Sequence, residues 1–187
     1  MINWKKLNQD IESSNRIVLS THMSPDGDGL GSASAMFHYI SSLGMECKII
    51  QISEFPDQYD FLNKNGIIET YDMEVHDSWI SEADLALIFD VGAYNRLGPL
   101  GDTLSANQIK TINIDHHPDL GDERFNENFI NIQAAATGEM VYDFLEENHV
   151  KMNSDIATGI YTAVMTDTGS FRHSNTNQKS HKIAMNC

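Results

Sequence analysis

The sequence has few cysteines, few basic residues and no long apolar run, and each shortage excludes a class of protein. Its 187 residues include two cysteines, Cys47 and Cys187, which cannot form a disulfide framework and favour a reducing compartment. No apolar stretch approaches the roughly 18–20 residues that a membrane-spanning helix needs. The N-terminal segment MINWKKLNQDIESS lacks the apolar core of a signal peptide. These observations predict a cytoplasmic protein without a membrane partner.

The shortage of basic residues limits what the protein can bind. Lys and Arg number 12 against 27 Asp and Glu, so the formal net charge is −15. Duplex nucleic acid is bound through many Lys and Arg contacts, and a protein this acidic is not expected to bind it. An anionic ligand of another kind needs a local offset to that charge, and metal ions held by some of the carboxylates would supply one.

Strand patterns alternate with helix patterns along a chain that is long enough for one domain with a sizeable core. This alternation predicts an α/β fold, a doubly wound and mostly parallel sheet with helices on both faces. The expected strands are 16–21, 46–52, 67–71, 84–89 and 108–114. The expected helices are 3–14, 30–43, 56–64, 77–82, 137–148, 154–165 and one that starts at residue 178.

Four groups of acidic residues and histidines come at the ends of these expected elements. Ligands of open parallel sheets bind at the carboxyl ends of the strands, so we expect the four groups to converge in space. The groups are His22-Met-Ser-Pro-Asp26-Gly-Asp28-Gly-Leu-Gly31-Ser32, Asp90, Asp115-His116-His117, and Asp167-Thr-Gly-Ser-Phe171-Arg172-His173-Ser-Asn175.

The first group is a glycine-rich loop that opens a helix. Asp26 and Asp28 are two residues apart, so both carboxylates can turn inward, where they would repel each other unless a cation lay between them. Because helix N-termini favour anions, Gly31 and Ser32 are predicted to offer backbone N–H groups to a phosphate. The alternative is an ordinary polar loop in which the aspartates cap the helix.

The second and third groups follow buried strands. Asp90 is either a functional carboxylate or a turn residue after its strand. The adjacent side chains of His116 and His117 point in different directions, which predicts one metal ligand and one acid that faces the substrate. Asp115 is predicted to orient one of the two imidazoles. The alternative for this group is a polar surface turn.

The fourth group combines an acid with a mixed aromatic and basic patch. Asp167 comes at the end of a helix, and the residues after it are predicted to stack on a base or hold a phosphate. The predicted substrate contacts here are Arg172, His173 and Asn175. The alternative is a loop without a binding role.

The candidate metal ligands all carry oxygen or nitrogen donors. Four carboxylates and two imidazoles suit Mn²⁺, or Mg²⁺ or Co²⁺ in its place, better than structural zinc. Two such ions about 3.5–4 Å apart form the clamp used in phosphoryl transfer, and Asp90 or a hydroxide would bridge them. The predicted ligands are His22, Asp26, Asp28, Asp90, His116 and Asp167.

Together the four groups resemble the four motifs of the DHH phosphoesterase family, in the same order and context. The motifs are HMSPDGDGLGS, the aspartate at 90 after a strand, DHH at 115–117 and DTGSF at 167–171. The first and the last are most similar to those of the nanoRNase group, which are oligoribonucleases that also act on 3′-phosphoadenosine 5′-phosphate. The pyrophosphatase branch usually has a threonine where this chain has Gly27.

The resemblance implies a ligand set for each of two ions and a role for the remaining histidine. One ion would be held by His22, Asp26 and Asp90. The other would be held by Asp28, Asp90, His116 and Asp167. His117 would contact the scissile phosphate and assist the leaving group, with Asp115 behind it. Asp90, Asp115 and His117 are therefore the expected catalytic residues.

The resemblance also implies an activity and a domain organisation. The expected enzyme uses a two-metal hydroxide mechanism to hydrolyse short oligoribonucleotides or linear dinucleotides to 5′-mononucleotides, and also 3′-phosphoadenosine 5′-phosphate. The alternatives are an inorganic pyrophosphatase or exopolyphosphatase of the same family and a non-catalytic nucleotide-binding regulatory module. The expected partners are nucleotides or very short single-stranded RNA, with a homodimer left open. The family's smaller C-terminal DHH-associated domain has no counterpart here, so residues 1–187 are interpreted as the catalytic domain of a truncated chain.

Overall fold

The computed structural model describes residues 2–118 and 121–187, and its centre is a six-stranded sheet in which all the paired strands are parallel. The strands are β1 (Arg16–Thr21), β2 (Glu46–Gln51), β3 (Ile68–Thr70), β4 (Leu85–Phe89), β5 (Lys110–Asp115) and β6 (Glu127–Ile130). Their order across the sheet is β3-β2-β1-β4-β5-β6, so the direction of winding reverses between β1 and β4. The predicted α/β fold is confirmed.

Helices cover both faces of the sheet. They are α1 (Trp4–Glu12), α2 (Gly27–Ser42), α3 (Met73–Ile80), α4 (Gly98–Ala106), α5 (Thr137–Glu147), α6 (Ser154–Asp167) and α7 (Gln178–Asn186). Short 3₁₀ helices lie at Asp57–Leu62, Lys64–Gly66 and Tyr94–Leu97. Helices α3 and α4 pack on one face of the sheet, and the other α-helices pack on the opposite face. Within the described ranges, no helix is long and apolar enough to cross a membrane.

Strand side chains alternate between two apolar cores. In β1, Ile17 and Leu19 point into the larger core and Val18 points into the smaller one, and all three are fully buried. The same alternation runs through β4, whose sequence LALIF is apolar at every position. A strand buried on both faces needs such a continuous apolar run, and this is why β4 is recognisable in the sequence.

Two elements of the structure were not predicted from the sequence. β6 has only four residues, Glu127–Ile130, and pairs with β5 at the edge of the sheet. Its sequence ENFI buries a single side chain, that of Phe129, so it carries little of the apolar signal of a central strand. Helix α4 has the sequence GPLGDTLSA, and its glycines and proline are typical of a loop. Proline is tolerated there because the first helical turn needs no N–H partner.

Three predicted helices differ most from the structure. Helix α2 begins at Gly27 and not at residue 30, because the Asp26 side chain caps it. Asp26 Oδ1 accepts the N–H groups of Asp28 over 3.0 Å and of Gly29 over 3.3 Å, which places Asp28 in the first turn. Helix α3 begins four residues earlier than expected, with Asp72 as its cap. The predicted helix 56–64 forms two short 3₁₀ segments instead.

Helices α2 and α6 contact each other through their backbones. A Cβ atom added at Gly159 of α6 would lie 2.6 Å from the carbonyl oxygen of Gly31 and 2.9 Å from the backbone nitrogen of Ala35, both on α2. Real Cβ atoms do not approach backbone atoms so closely. Glycine is therefore required for this spacing, and the spacing sets where α2 and α6 carry their acidic residues.

Replacement of Gly159 by alanine is expected to lower the free energy of unfolding by about 1–3 kcal/mol, because overpacking pushes α2 away from α6. Equilibrium unfolding in urea measures this change. Gly44→Ala is the matched control: nothing lies within 4 Å of its Cβ position, so only its left-handed φ of 80° is penalised. We expect Gly159→Ala to weaken the predicted Mn²⁺ binding as well, and Gly44→Ala to leave it unchanged. A Gly159→Ala protein as stable as the wild type would contradict the close helix contact.

Candidate metal centre

The side chains predicted to bind metal converge at the carboxyl edge of the sheet. His22 directly follows β1, Asp90 follows β4 and His116 follows β5, and these three strands are neighbours. The first turn of α2 brings Asp28 to the same edge, and the last turn of α6 brings Asp167. The winding reverses between β1 and β4, and this is where open parallel sheets bind ligands.

The first candidate metal group consists of His22, Asp26 and Asp90, whose ligand atoms lie within 4.8 Å of one another. The Nδ1–H of His22 donates to the Met23 carbonyl over 2.8 Å, because a carbonyl oxygen can only accept. The Nε2 atom of the same ring lies 3.5 Å from Asp90 Oδ2 and 3.9 Å from Asp26 Oδ1. A ring whose other nitrogen is held by a carbonyl is the usual form of an imidazole metal ligand.

The second candidate metal group consists of Asp28, His116 and Asp167. The Nδ1–H of His116 donates to the Ala134 carbonyl over 3.3 Å. Its Nε2 atom is buried and has no hydrogen-bond partner among the described residues. That atom lies 3.5 Å from Asp28 Oδ2 and 3.7 Å from Asp167 Oδ2. A buried imidazole nitrogen that faces two carboxylates without a hydrogen bond to either fits a ligand of a metal ion that the carboxylates would also bind.

Asp90 lies between the two groups and presents a different oxygen to each. Its Oδ2 faces His22 of the first group, whereas its Oδ1 lies 3.6 Å from His116 Nε2. The same Oδ1 lies 3.4 Å from Nδ1 of His117, so Asp90, His116 and His117 form a third overlapping group. The backbone of Asp90 is left-handed, with φ 63°, and its N–H is held by the Ile114 carbonyl. A strained backbone of this kind is typical of functional positions.

His117 has a different environment from His116. Its Nδ1–H donates to Asp115 Oδ1 over 2.7 Å, and Asp115 is fully buried. The hydrogen bond to Asp115 raises the pKa of His117 to about 9 against the opposing effect of burial, and the charges of Asp115 and Asp90 add to the increase. The His117 side chain is 43% exposed, compared with 13% for His116. The two rings can therefore play different parts, one inside the cluster and one at its surface.

The carboxylates of the cluster repel one another. Burial, together with the charges of Asp90 and Asp167, raises the pKa of Asp28 well above its usual range. Burial and the charge of Asp90 also raise the pKa of Asp167. Burial would raise the pKa of Asp90 too, but His22, whose Nε2 lies 3.5 Å from Asp90 Oδ2, and the charges of the neighbouring histidines hold it below its usual value. Bound divalent ions would offset this concentration of negative charge, so the residues present fit metal ions.

The structure places Asn175 against one of the candidate metal ligands. Its side-chain N–H groups donate to the Ala135 carbonyl over 2.9 Å, to the Asp167 carbonyl over 3.1 Å and to Asp167 Oδ2 over 3.0 Å. Asn175 therefore holds the carboxylate of Asp167, and because its side chain is exposed, its predicted contact with substrate stays a prediction.

The structure corrects the predicted role of Gly31 and Ser32. Because α2 begins at Gly27, both residues lie in its second turn, where each backbone N–H donates to a carbonyl one turn earlier. Both are buried, and a Cβ at Gly31 would collide with Gly159 on α6. Their N–H groups are thus unavailable to a phosphate, and Gly31 serves the packing of two helices.

The remaining predicted substrate contacts, Arg172 and His173, are exposed in the turn after α6. The Nε–H of Arg172 donates to the carbonyl of Gly169 over 2.9 Å. In the part of the chain that the structure describes, neither side chain hydrogen-bonds to a candidate metal ligand. Their position beside Asp167 is compatible with substrate binding, and their role stays a prediction.

The residues that hold Asp28 were missed in the sequence. The backbone N–H groups of Thr137 and Gly138 donate to Asp28 Oδ2 over 2.7 Å and to Asp28 Oδ1 over 2.9 Å. These are the first two residues of α5, whose own N-cap residue, Ala136, provides no side-chain hydrogen bond. A helix preceded by three alanines, without a residue of its own to cap it, is the signal that could have indicated a cap from elsewhere in the chain.

The fold and the cluster define the class to which the chain belongs: parallel α/β domains with candidate metal groups at the carboxyl edge of the sheet. Within this class the chain belongs to the DHH family, because residues 16–164 match the family model described as "DHH family, N-terminal domain". The family predicted from the four motifs is confirmed.

Relatives and solved structures match most of the chain. A protein of Mycoplasma genitalium named "Bifunctional oligoribonuclease and PAP phosphatase NrnA" is 27% identical, over 93% of this chain and 53% of its own length. A protein of the same name from Thermus thermophilus is 30% identical, over 90% of this chain and 48% of its own length. The crystal structure of an exopolyphosphatase-related protein from Bacteroides fragilis has a TM-score of 0.90 and 27% identity, and the match covers 97% of this chain and 54% of that one. The chain thus spans about half the length of these proteins.

Proposed function

We propose that the chain forms the catalytic domain of a two-metal phosphoesterase. The observation that carries this proposal is the pair of candidate metal groups that lie on either side of Asp90 and beside His117. Membership of the DHH family and the names of the relatives support a reaction at phosphorus.

The proposed ligands form one set for each ion. The first ion would be held by His22, Asp26 and Asp90. The second ion would be held by Asp28, Asp90, His116 and Asp167. Divalent ions bound there would supply charge stabilisation for a phosphate ester and lower the pKa of water at neutral pH. The oxygen and nitrogen donors favour Mn²⁺, with Mg²⁺ or Co²⁺ as alternatives.

His117 is the proposed proton donor of the chain itself. Asp115 holds its Nδ1–H, so Nε2 is the ring atom left to donate a hydrogen bond to the scissile phosphate. The same atom would transfer its proton to the leaving oxygen. Asp115 supports this role by fixing the ring through a 2.7 Å hydrogen bond and by stabilising the charged imidazolium.

The proposed substrates are short oligoribonucleotides or linear dinucleotides, cleaved to 5′-mononucleotides, and 3′-phosphoadenosine 5′-phosphate. The names of the relatives support these substrates. The net charge of −15 opposes the binding of a long duplex, whereas a small phosphate ester needs only the local charge of the metal ions. Arg172 and His173 would contact the nucleotide beside Asp167.

A second candidate function is the hydrolysis of pyrophosphate or polyphosphate. The observation in its favour is the description of the Bacteroides fragilis structure as exopolyphosphatase-related, at 27% identity. The same metal groups would serve this reaction, since the change at phosphorus is the same and only the leaving group differs.

A comparison of substrates separates these functions. With Mn²⁺, the protein is expected to hydrolyse a linear diadenylate with kcat/KM about 10²-fold higher than for pyrophosphate or polyphosphate, because only the nucleotide has a base and sugar for Arg172 and His173 to contact. Chromatography of released nucleotides and colorimetry of released phosphate measure the two rates. Faster hydrolysis of polyphosphate would favour the second candidate. Tight diadenylate binding in calorimetry without any hydrolysis would indicate a regulatory module.

A further inference from the structure

Thr137 contacts two carboxylates that come from different parts of the fold. It is the first residue of α5 and is fully buried. Its backbone N–H donates to Asp28 Oδ2 over 2.7 Å, and its hydroxyl donates to Asp90 Oδ1 over 3.3 Å. One residue thus joins the start of α2 to the end of β4 through hydrogen bonds to ionisable groups.

The two oxygen atoms that Thr137 holds belong to the same side of the cluster. Asp28 Oδ2 lies 3.5 Å from His116 Nε2, and Asp90 Oδ1 lies 3.6 Å from that nitrogen. The oxygen of Asp90 that faces His22 is the other one, Oδ2. Both oxygen atoms that Thr137 contacts therefore face the second metal group, whereas the Asp90 oxygen that faces the first group is not bonded to Thr137.

The N-terminus of α5 holds Asp28 through backbone N–H groups and Asp90 through the hydroxyl of Thr137. Asp28 replaces the missing cap of the helix, so the N-terminus of α5 holds that carboxylate whatever side chain stands at 137. Only a hydroxyl at 137 can also donate to Asp90. A side chain of the same shape without the hydroxyl would keep the helix and Asp28 in place and would free one oxygen of Asp90.

We infer that Thr137 is a positioning residue that prepares Asp90 Oδ1 and Asp28 Oδ2 to bind the second of the two ions. This inference rests on the proposed two-metal function. The inferred effect of Thr137 is limited to the binding of one ion. It can therefore be distinguished from a general contribution of Thr137 to folding.

The test compares Mn²⁺ binding by the wild type, Thr137→Val and Thr137→Ser. Thr137→Val is expected to bind one Mn²⁺ about 10- to 100-fold more weakly, the usual effect of removing a residue that supports a ligand, and to bind the other with unchanged affinity. Titration calorimetry gives the two affinities. Electron paramagnetic resonance gives a second readout, because the signal of a magnetically coupled Mn²⁺ pair should be replaced by that of a single ion. Thr137→Ser keeps the hydroxyl and should restore both readouts.

Thr162→Val is the matched control, because Thr162 is also buried but, among the residues that the structure describes, its hydroxyl donates only to the carbonyl of Thr158. If Thr137→Val does not fold, Thr137→Ala removes the same hydroxyl and decides the question. Equal weakening of both ions, unchanged binding of both, or failure of Thr137→Ser to restore binding would each overturn the inference. A wild type that binds no Mn²⁺ would overturn the two-metal function and this inference together, whereas a wild type that binds two ions isolates the role of Thr137.

Discussion

Replacement of Asp90 by asparagine is expected to abolish the proposed Mn²⁺-dependent release of nucleotides. Each oxygen of the Asp90 carboxylate faces a different candidate metal group, so the substitution removes a charged ligand from both ions at once. We expect a loss of about 10³-fold in kcat/KM, which exceeds the 10- to 100-fold typical of a residue that only supports a ligand. The assay is the release of mononucleotide from a linear diadenylate.

Asparagine is the substitution to use because the backbone of Asp90 is left-handed, with φ 63°. Asparagine tolerates this conformation, whereas alanine would add about 1–2 kcal/mol of strain. Asp102→Asn, in an exposed part of α4, is the matched control and should leave activity unchanged. An Asp90→Asn protein that is folded and keeps a tenth or more of the wild-type activity would falsify the two-metal proposal.

The elements with a strong local signal were predicted well. β1 has the predicted bounds Arg16–Thr21, because a run of apolar and β-branched residues is required where both faces of a strand are buried. β6 was missed because an edge strand takes its stability from pairing with β5, which no local pattern reveals. The start of α2 was placed three residues late because Gly27 and Gly29 have low helix propensity. The cap from Asp26 and the contact with α6 outweigh that propensity.

The convergence of the candidate ligands could be predicted from the sequence, whereas the residues that hold them could not. Carboxylates and histidines at the ends of buried strands are visible in the sequence, since parallel strands bring their carboxyl ends together. The supporting bonds are long-range: Thr137 reaches Asp28 across 109 positions, and Asn175 reaches Ala135 across 40. Gly31 was assigned to substrate because a glycine near a helix start fits a phosphate, and the opposing Gly159 that requires it is invisible without the packing of α2 against α6.

Replacement of His117 by asparagine is expected to separate chemistry from metal binding. The amide of asparagine can reach the position of the imidazole Nδ1 and keep the hydrogen bond to Asp115, but it has no atom at the position of Nε2. We expect kcat to fall by about 10²- to 10⁴-fold, the usual contribution of a general acid. Mn²⁺ affinity, measured by calorimetry on the same preparation, should stay at the wild-type value.

The control for this variant is His149→Asn. His149 is exposed and follows the far end of α5, and its left-handed φ of 54° suits asparagine. Its replacement should change neither kcat nor Mn²⁺ affinity. The alternative is that His117 binds metal itself, because Asp90, His116 and His117 form a third group of potential ligands. If His117→Asn weakens Mn²⁺ binding as strongly as Asp90→Asn does, His117 is a metal ligand and not the proton donor, and the leaving oxygen must take its proton from another group.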